Sequence, residues 1–101
     1  MVNSIEDTTP LQLDTLILQK KISQGDLDGI DLFSEQILNR SRSTSERDHL
    51  VEARVRMDRA LLGMIEVELI GAELRWCVDR LHAICPGSPL HGLALLNLAN
   101  W

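Results

Sequence analysis

The chain has 101 residues, 45% of them hydrophobic and 25% charged, with a formal net charge of -5. That is enough for one modest core, too little for two domains, and it excludes disorder along most of the length. The acidic balance argues against a nucleic-acid binder, whose affinity rests on clustered Lys and Arg.

Residues 1–8 are polar and acidic and are expected to form a loose tail, with no basic and apolar pattern of a classical export signal. Thr9 then reads as a helix N-cap, with Pro10 at the first helical position and Gln12 placed to close a capping box. The first helix is expected to run to about Ser23 with Leu13, Leu16, Ile17 and Ile22 on its apolar face, and to end at Gly25. Two glycines and two aspartates in residues 25–29 predict a turn. A second helix follows over residues 29–39, with Ile30, Phe33 and Ile37 on one side. Residues 40–45 contain no hydrophobic side chain and read as an exposed connection, after which Ser43 or Ser45 is the expected cap of the next helix.

From Leu50 onward, apolar or small residues recur at alternating spacings of three and four: Leu50, Ala53, Met57, Ala60, Met64, Val67, Gly71, Leu74, Val78, Leu81 and Cys85. This is the seam of one long helix, expected over about residues 46–84. One row of the heptad is charged throughout, namely Glu52, Arg59, Glu66, Glu73 and Arg80, and is expected to be solvated. The rest of the circumference is largely apolar, as in a helix buried on two sides. A rod of that length would span roughly 57 Å, more than the remaining helices can cover on both sides. A second copy related by a two-fold axis is the simplest source of the missing cover. In the alternative, Gly63 or Gly71 breaks the rod into a hairpin that covers itself. Pro86, Gly87, Ser88 and Pro89 stop the helix and start a last one, carrying Leu90, Leu93, Leu95, Leu96 and Leu98 before Trp101. Five leucines and a terminal tryptophan exceed what one face of so short a helix can bury, so this segment is either a partner-binding element or folds back near Trp76.

The candidates for chemistry are sparse. Cys77, His82, Cys85 and His91 are zinc-binding residue types, but Cys77 and His82 fall on different helix faces and no Cys-x-x-Cys occurs. Cys77 and Cys85 on one helix would be about 12 Å apart, beyond disulfide reach, so both are expected as reduced thiols. Glu66, Glu68 and Glu73 lack the Glu-x-x-His pairs of a helical di-iron site. The hydroxyls of residues 41–45 neighbour only His49, with no third group to orient a base. Arg40, Arg42, Arg47, Arg54, Arg56 and Arg59 are interleaved with Glu46, Asp48, Glu52 and Asp58, the pattern of an ion-paired helix face.

The expectation is therefore an all-α single domain: one long helix packed by two N-terminal helices and a short C-terminal one, completed by dimerisation. The function that fits is a non-enzymatic protein-protein interaction module, such as a small acidic adaptor, an assembly or secretion chaperone, or a regulator. The alternative is an acidic inhibitor of a nucleic-acid-handling protein. The interface is expected to use Met57, Leu61, Met64, Ile65, Leu69, Leu74, Trp76, Leu93, Leu96 and Trp101. No cofactor, metal or membrane partner is expected, and a cytoplasmic location is.

Overall fold

A computed structural model describes residues 8–101, which form five α-helices and no strand: α1 (Pro10–Ser23), α2 (Ile30–Ser41), α3 (His49–Leu61), α4 (Val67–Ile84) and α5 (Pro89–Asn100). The expected tail lies outside the described residues except for Thr8. Among those residues no helix is long and apolar enough to cross a membrane.

The start of α1 follows from its sequence. Thr9 Oγ1 accepts from Gln12 N at 3.1 Å, and Gln12 Oε1 accepts in return from Thr9 N at 3.2 Å, closing the capping box over Pro10. Its stop is a Schellman turn: Gly25, at φ 72°, donates to Ile22 O, and Asp26 donates to Lys21 O at 2.9 Å.

The long helix does not form. α3 ends at Leu61, where the same motif recurs: Gly63 has φ 76° and donates to Ala60 O, while Met64 donates to Arg59 O at 2.9 Å. The expected start also moves, because Asp48 rather than Ser43 or Ser45 caps α3, its Oδ1 accepting from Val51 N at 3.0 Å. The longest dimension of the protein is 42 Å, shorter than a continuous rod of roughly 57 Å would be. The periodicity survives the break because the chain folds back on itself. Ala53, Met57 and Ala60 of α3 share one core cluster with Ile70, Leu74, Cys77 and Leu81 of α4 and Ala94 of α5.

A second cluster contains Leu11 and Leu18 of α1, Ile30, Ile37 and Leu38 of α2, and Val51 and Val55 of α3. α3 alone contributes to both clusters. It is buried on two sides, as its apolar circumference requires, but both covers come from the same chain. The covering argument for an obligate dimer therefore falls.

Charged residues expected in water also lie between helices. Glu52 is only 4% exposed, with Oε2 accepting from Arg42 Nε at 3.0 Å and Oε1 lying 2.8 Å from Arg47 Nη1. Arg56 of α3 holds Glu73 of α4 through both guanidinium ends, and its Cζ lies 3.4 Å from the centroid of the Trp76 ring. Arg59 crosses to α2, donating to Asp31 O and Ser34 Oγ at 2.7 Å each. Residues 40–45 are not wholly exposed: Ser41 is fully buried, its hydroxyl donating to Leu38 O at 2.6 Å. Arg40 braces the same connection between Asp14 at 2.6 Å and Glu46 at 2.8 Å.

Two glycines are expected to respond oppositely to alanine. At Gly63 a Cβ meets no atom within 4 Å, so Gly63→Ala costs only the left-handed strain, about 1–2 kcal/mol by denaturant melting. Gly92 lies within α5, is exposed and has equally open space around it, so Gly92→Ala should stabilise by about 0.5–1 kcal/mol.

Glu52 supplies a pH test. Burial pushes its carboxyl up, but the hydrogen bonds and charges of Arg42 and Arg47 outweigh this and hold it below the usual value. A depressed folded-state value means that its contribution is present above the unfolded value and lost as pH falls through the folded one. Glu52→Gln should cost about 1–2 kcal/mol at pH 7, and its melting curve should converge on that of the natural protein as the solution is acidified.

Candidate functional site

The face of α1 turned to the core is not the expected one. Leu11, Thr15 and Leu18 are buried, whereas Leu13, Leu16 and Ile17 are 40%, 61% and 48% exposed. Thr15 makes this possible, since its hydroxyl donates to Leu11 O at 2.9 Å and so enters the core already satisfied. The buried stripe is Leu11, Thr15, Leu18 and half-buried Ile22, which leaves the more conspicuous aliphatic stripe facing outward.

Leu16 of that outward stripe borders a groove of about 580 Å³ between α1 and α5, with the first turns of α3 between them. α1 supplies Gln12, Thr15, Leu16 and Gln19, α3 and its cap supply Asp48, Leu50, Val51 and Arg54, and α5 supplies Pro89, Leu90 and Leu93. Leu50 is 46% exposed and Leu93 37%, so three leucines from three helices meet water in one concavity, with Leu16 the most open. The volume lies within the range of ligand and helix-anchor pockets.

The polar lining is mostly committed to the fold. Gln12 Nε2 donates to Asp48 Oδ2 at 3.3 Å, while Asp48 Oδ1 caps α3. Arg54 Nη2 donates to Gln19 Oε1 at 2.6 Å, Arg54 Nε donates to Asp58 Oδ2 at 3.3 Å, and Gln19 Nε2 donates to the same Asp58 oxygen, closing a three-residue ring. These groups place hydrogen-bonding edges beside the leucines without burying an unmet polar atom. They contain no nucleophile and base in contact.

The residues expected to form an interface are scattered. Met57 and Leu74 are fully buried in the α3/α4 cluster and are unavailable to a partner in this conformation. Met64 and Ile65 are half-buried in the turn between α3 and α4, and Leu61 just before it is 47% exposed. Trp76 is half-buried, with Arg56 and Arg80 against its ring. Leu69, Leu96 and Trp101 are 54%, 57% and 59% exposed, the last with its indole against Gly71, where a Cβ would lie 3.4 Å away. Only Leu93 lines the groove. Leu16 and Leu50 were missed, although one signal was legible: α1 carries more aliphatic residues than one helical face can bury.

The zinc-type residues do not converge. Cys77 is buried and donates to Ala53 O at 3.4 Å, and burial pushes its thiol up to about 12, so it stays protonated. His91 is buried, and its Nδ1 accepts from Gly87 N at 3.0 Å. Cys85 is half-buried and accepts from Ser88 Oγ. His82 is exposed, its ring centroid 5.4 Å from that of His91. Among the described residues no cluster of three or more His, Cys, Asp or Glu side chains is arranged to hold a metal ion.

Comparison with known proteins returned no matching family model, no matching curated protein and no matching solved structure.

Asp58 provides the counterpart to Glu52. Burial raises its carboxyl above the ordinary aspartate value, and Gln19 and Arg54 offset this only in part. A raised value means that its contribution favours folding in acid and is lost as pH rises through the folded-state value. Asn keeps an acceptor for Gln19 and Arg54 while removing the desolvated charge. Asp58→Asn should therefore gain stability relative to the natural protein as pH rises above the ordinary aspartate range, and at pH 7 should be at least as stable as it in thermal melting.

Proposed function

We propose that this chain is a non-enzymatic helical protein-protein interaction module, of the adaptor, assembly-chaperone or regulator type, acting in the cytoplasm. The α1/α5 groove receives the apolar face of an amphipathic helix from another protein. The observation that carries this reading is the convergence of exposed Leu16, Leu50 and Leu93 in one concavity whose polar groups are already paired. Helix-in-groove recognition uses such a site, with leucine-sized anchors filling the concavity and polar groups at its rim fixing register. Free cysteines agree with a reducing compartment.

Homodimer formation no longer has a covering requirement behind it, so a second copy is one candidate occupant of the groove rather than a structural necessity. The acidic-inhibitor reading has less support. Asp14, Glu46, Glu52 and Glu73 are each paired with an arginine, which leaves them poorly suited to act together as a phosphate mimic.

Site-specific photo-crosslinking in the native source tests the groove. A crosslinker at position 16 should give one stoichiometric protein adduct, whereas one at position 32, on exposed Leu32 of α2, should not. Leu93→Glu should abolish the adduct while leaving the melting temperature within about 2 °C. Adducts that map to the chain itself, together with a dimer mass in light scattering, would assign the groove to a second copy. A monomer giving no adduct from position 16 would refute the proposal.

A further inference from the structure

The ionic contacts that join α2, α3 and α4 leave two guanidinium groups sharing one acceptor. Arg47, in the connection before α3, places Nη2 2.9 Å from His49 Nδ1, and Arg80 of α4 places Nη1 2.6 Å from the same atom. A neutral imidazole nitrogen has one lone pair to offer, so it satisfies only one donor well.

Both arginines are held from behind. Arg47 Nη1 donates to Ser41 O at 2.9 Å and lies 2.8 Å from Glu52 Oε1, and the Cζ of Arg80 lies 4.9 Å from the Trp76 ring centroid. His49 itself is exposed on the first turn of α3. Among the described residues, these contacts link Arg42, Arg47, Arg56 and Arg80 to two carboxylates, Glu52 and Glu73. The cluster thus has an excess of two positive charges, within a chain whose net charge is -5. Neighbouring Asp48 is turned away from these arginines, its two oxygens accepting from Gln12 Nε2 and the Val51 amide.

We propose that Arg47 and Arg80, which converge on His49, form a binding site for a phosphate group, either free orthophosphate or a small phosphate monoester. The phosphate replaces His49 Nδ1 as the shared acceptor, and the exposed imidazole moves aside. Its separate oxygens receive both guanidinium groups at once, which one ring nitrogen does not. A dianion also matches the surplus charge, whereas a single carboxylate neutralises half of it. Because both arginines are already anchored, little side-chain order remains to be imposed on binding.

An NMR titration with orthophosphate at constant ionic strength, following the His49 ring and the Arg80 side chain, tests the assignment. Saturable shifts are expected, with at least a tenfold loss of affinity in Arg80→Gln and in Arg47→Gln and no change in Arg75→Gln on the exposed part of α4. Arg80→Lys retains the charge but not the fork and should weaken binding severalfold, which keeps the test decisive should Arg80→Gln melt early. Phenyl phosphate binding more tightly than orthophosphate assigns a phosphate ester. Orthophosphate binding as well or better assigns the free ion, and either result supports the site. Shifts that chloride reproduces, undiminished affinity in both Arg80 variants, or acetate binding as tightly as phosphate would overturn it.

Discussion

The left-handed turn at Gly63 is the constraint on which the rest of the architecture depends. A residue at φ 76° ends α3 after Leu61 and lets Met64 and Gly63 satisfy the carbonyls of Arg59 and Ala60. The reversal sets Ala53, Met57 and Ala60 against Leu74, Cys77 and Leu81, and so lets α4 and α5 cover the side of α3 that α1 and α2 leave open. Without it, α3 and α4 would run on as one rod with an unpartnered flank. The ion pairs follow from the same reversal, since Arg56 meets Glu73 only because the two helices run back alongside each other.

Much of this was legible, and the misreadings have physical causes. The Thr9 capping box, the Gly25 turn and the Ser88–Pro89 restart announce themselves through short-range chemistry, and all three are in place. Of the apolar period across residues 50–85, Ala53, Met57, Ala60, Leu74 and Leu81 are buried in one cluster, but Leu50 and Val67 are 46% and 61% exposed and the helix is not continuous. An antiparallel hairpin whose arms face each other preserves that period on both sides of its turn. Gly63 marks a possible break, but glycine alone does not distinguish a tolerated helix interior from a left-handed cap. The decisive companion is Met64, whose apolar side chain packs against the α1/α2/α3 cluster immediately after the turn.

The candidate site was less legible because it depends on which face of α1 is buried. Thr15 looked polar, yet bonding to Leu11 O makes it a core residue and rotates the helix so that Leu16 faces water. Glu52 misled in the same direction, because the arginines that make its burial tolerable come from the connection before α3. His91 likewise enters the interior by accepting the Gly87 amide. In each case a local hydrogen bond or ion pair overrides residue polarity as a guide to burial. The N-terminal turn of α3 concentrates the outcome: Asp48 and Leu50 line the groove, while His49 between them reaches Arg47 and Arg80.

Each helix packs mainly on its immediate neighbours in the chain, α1 on α2, α2 on α3, α3 on α4 and α4 on α5, with α1 against α3 as the exception among the larger contacts. Connectivity of that kind carries a small loop-closure penalty, because partners are already close along the backbone when they meet. Such a topology favours rapid self-assembly, in the microsecond to millisecond class of locally connected helical proteins. It also permits stepwise docking of helical pairs as the polypeptide emerges from the ribosome, with α5 the last to dock.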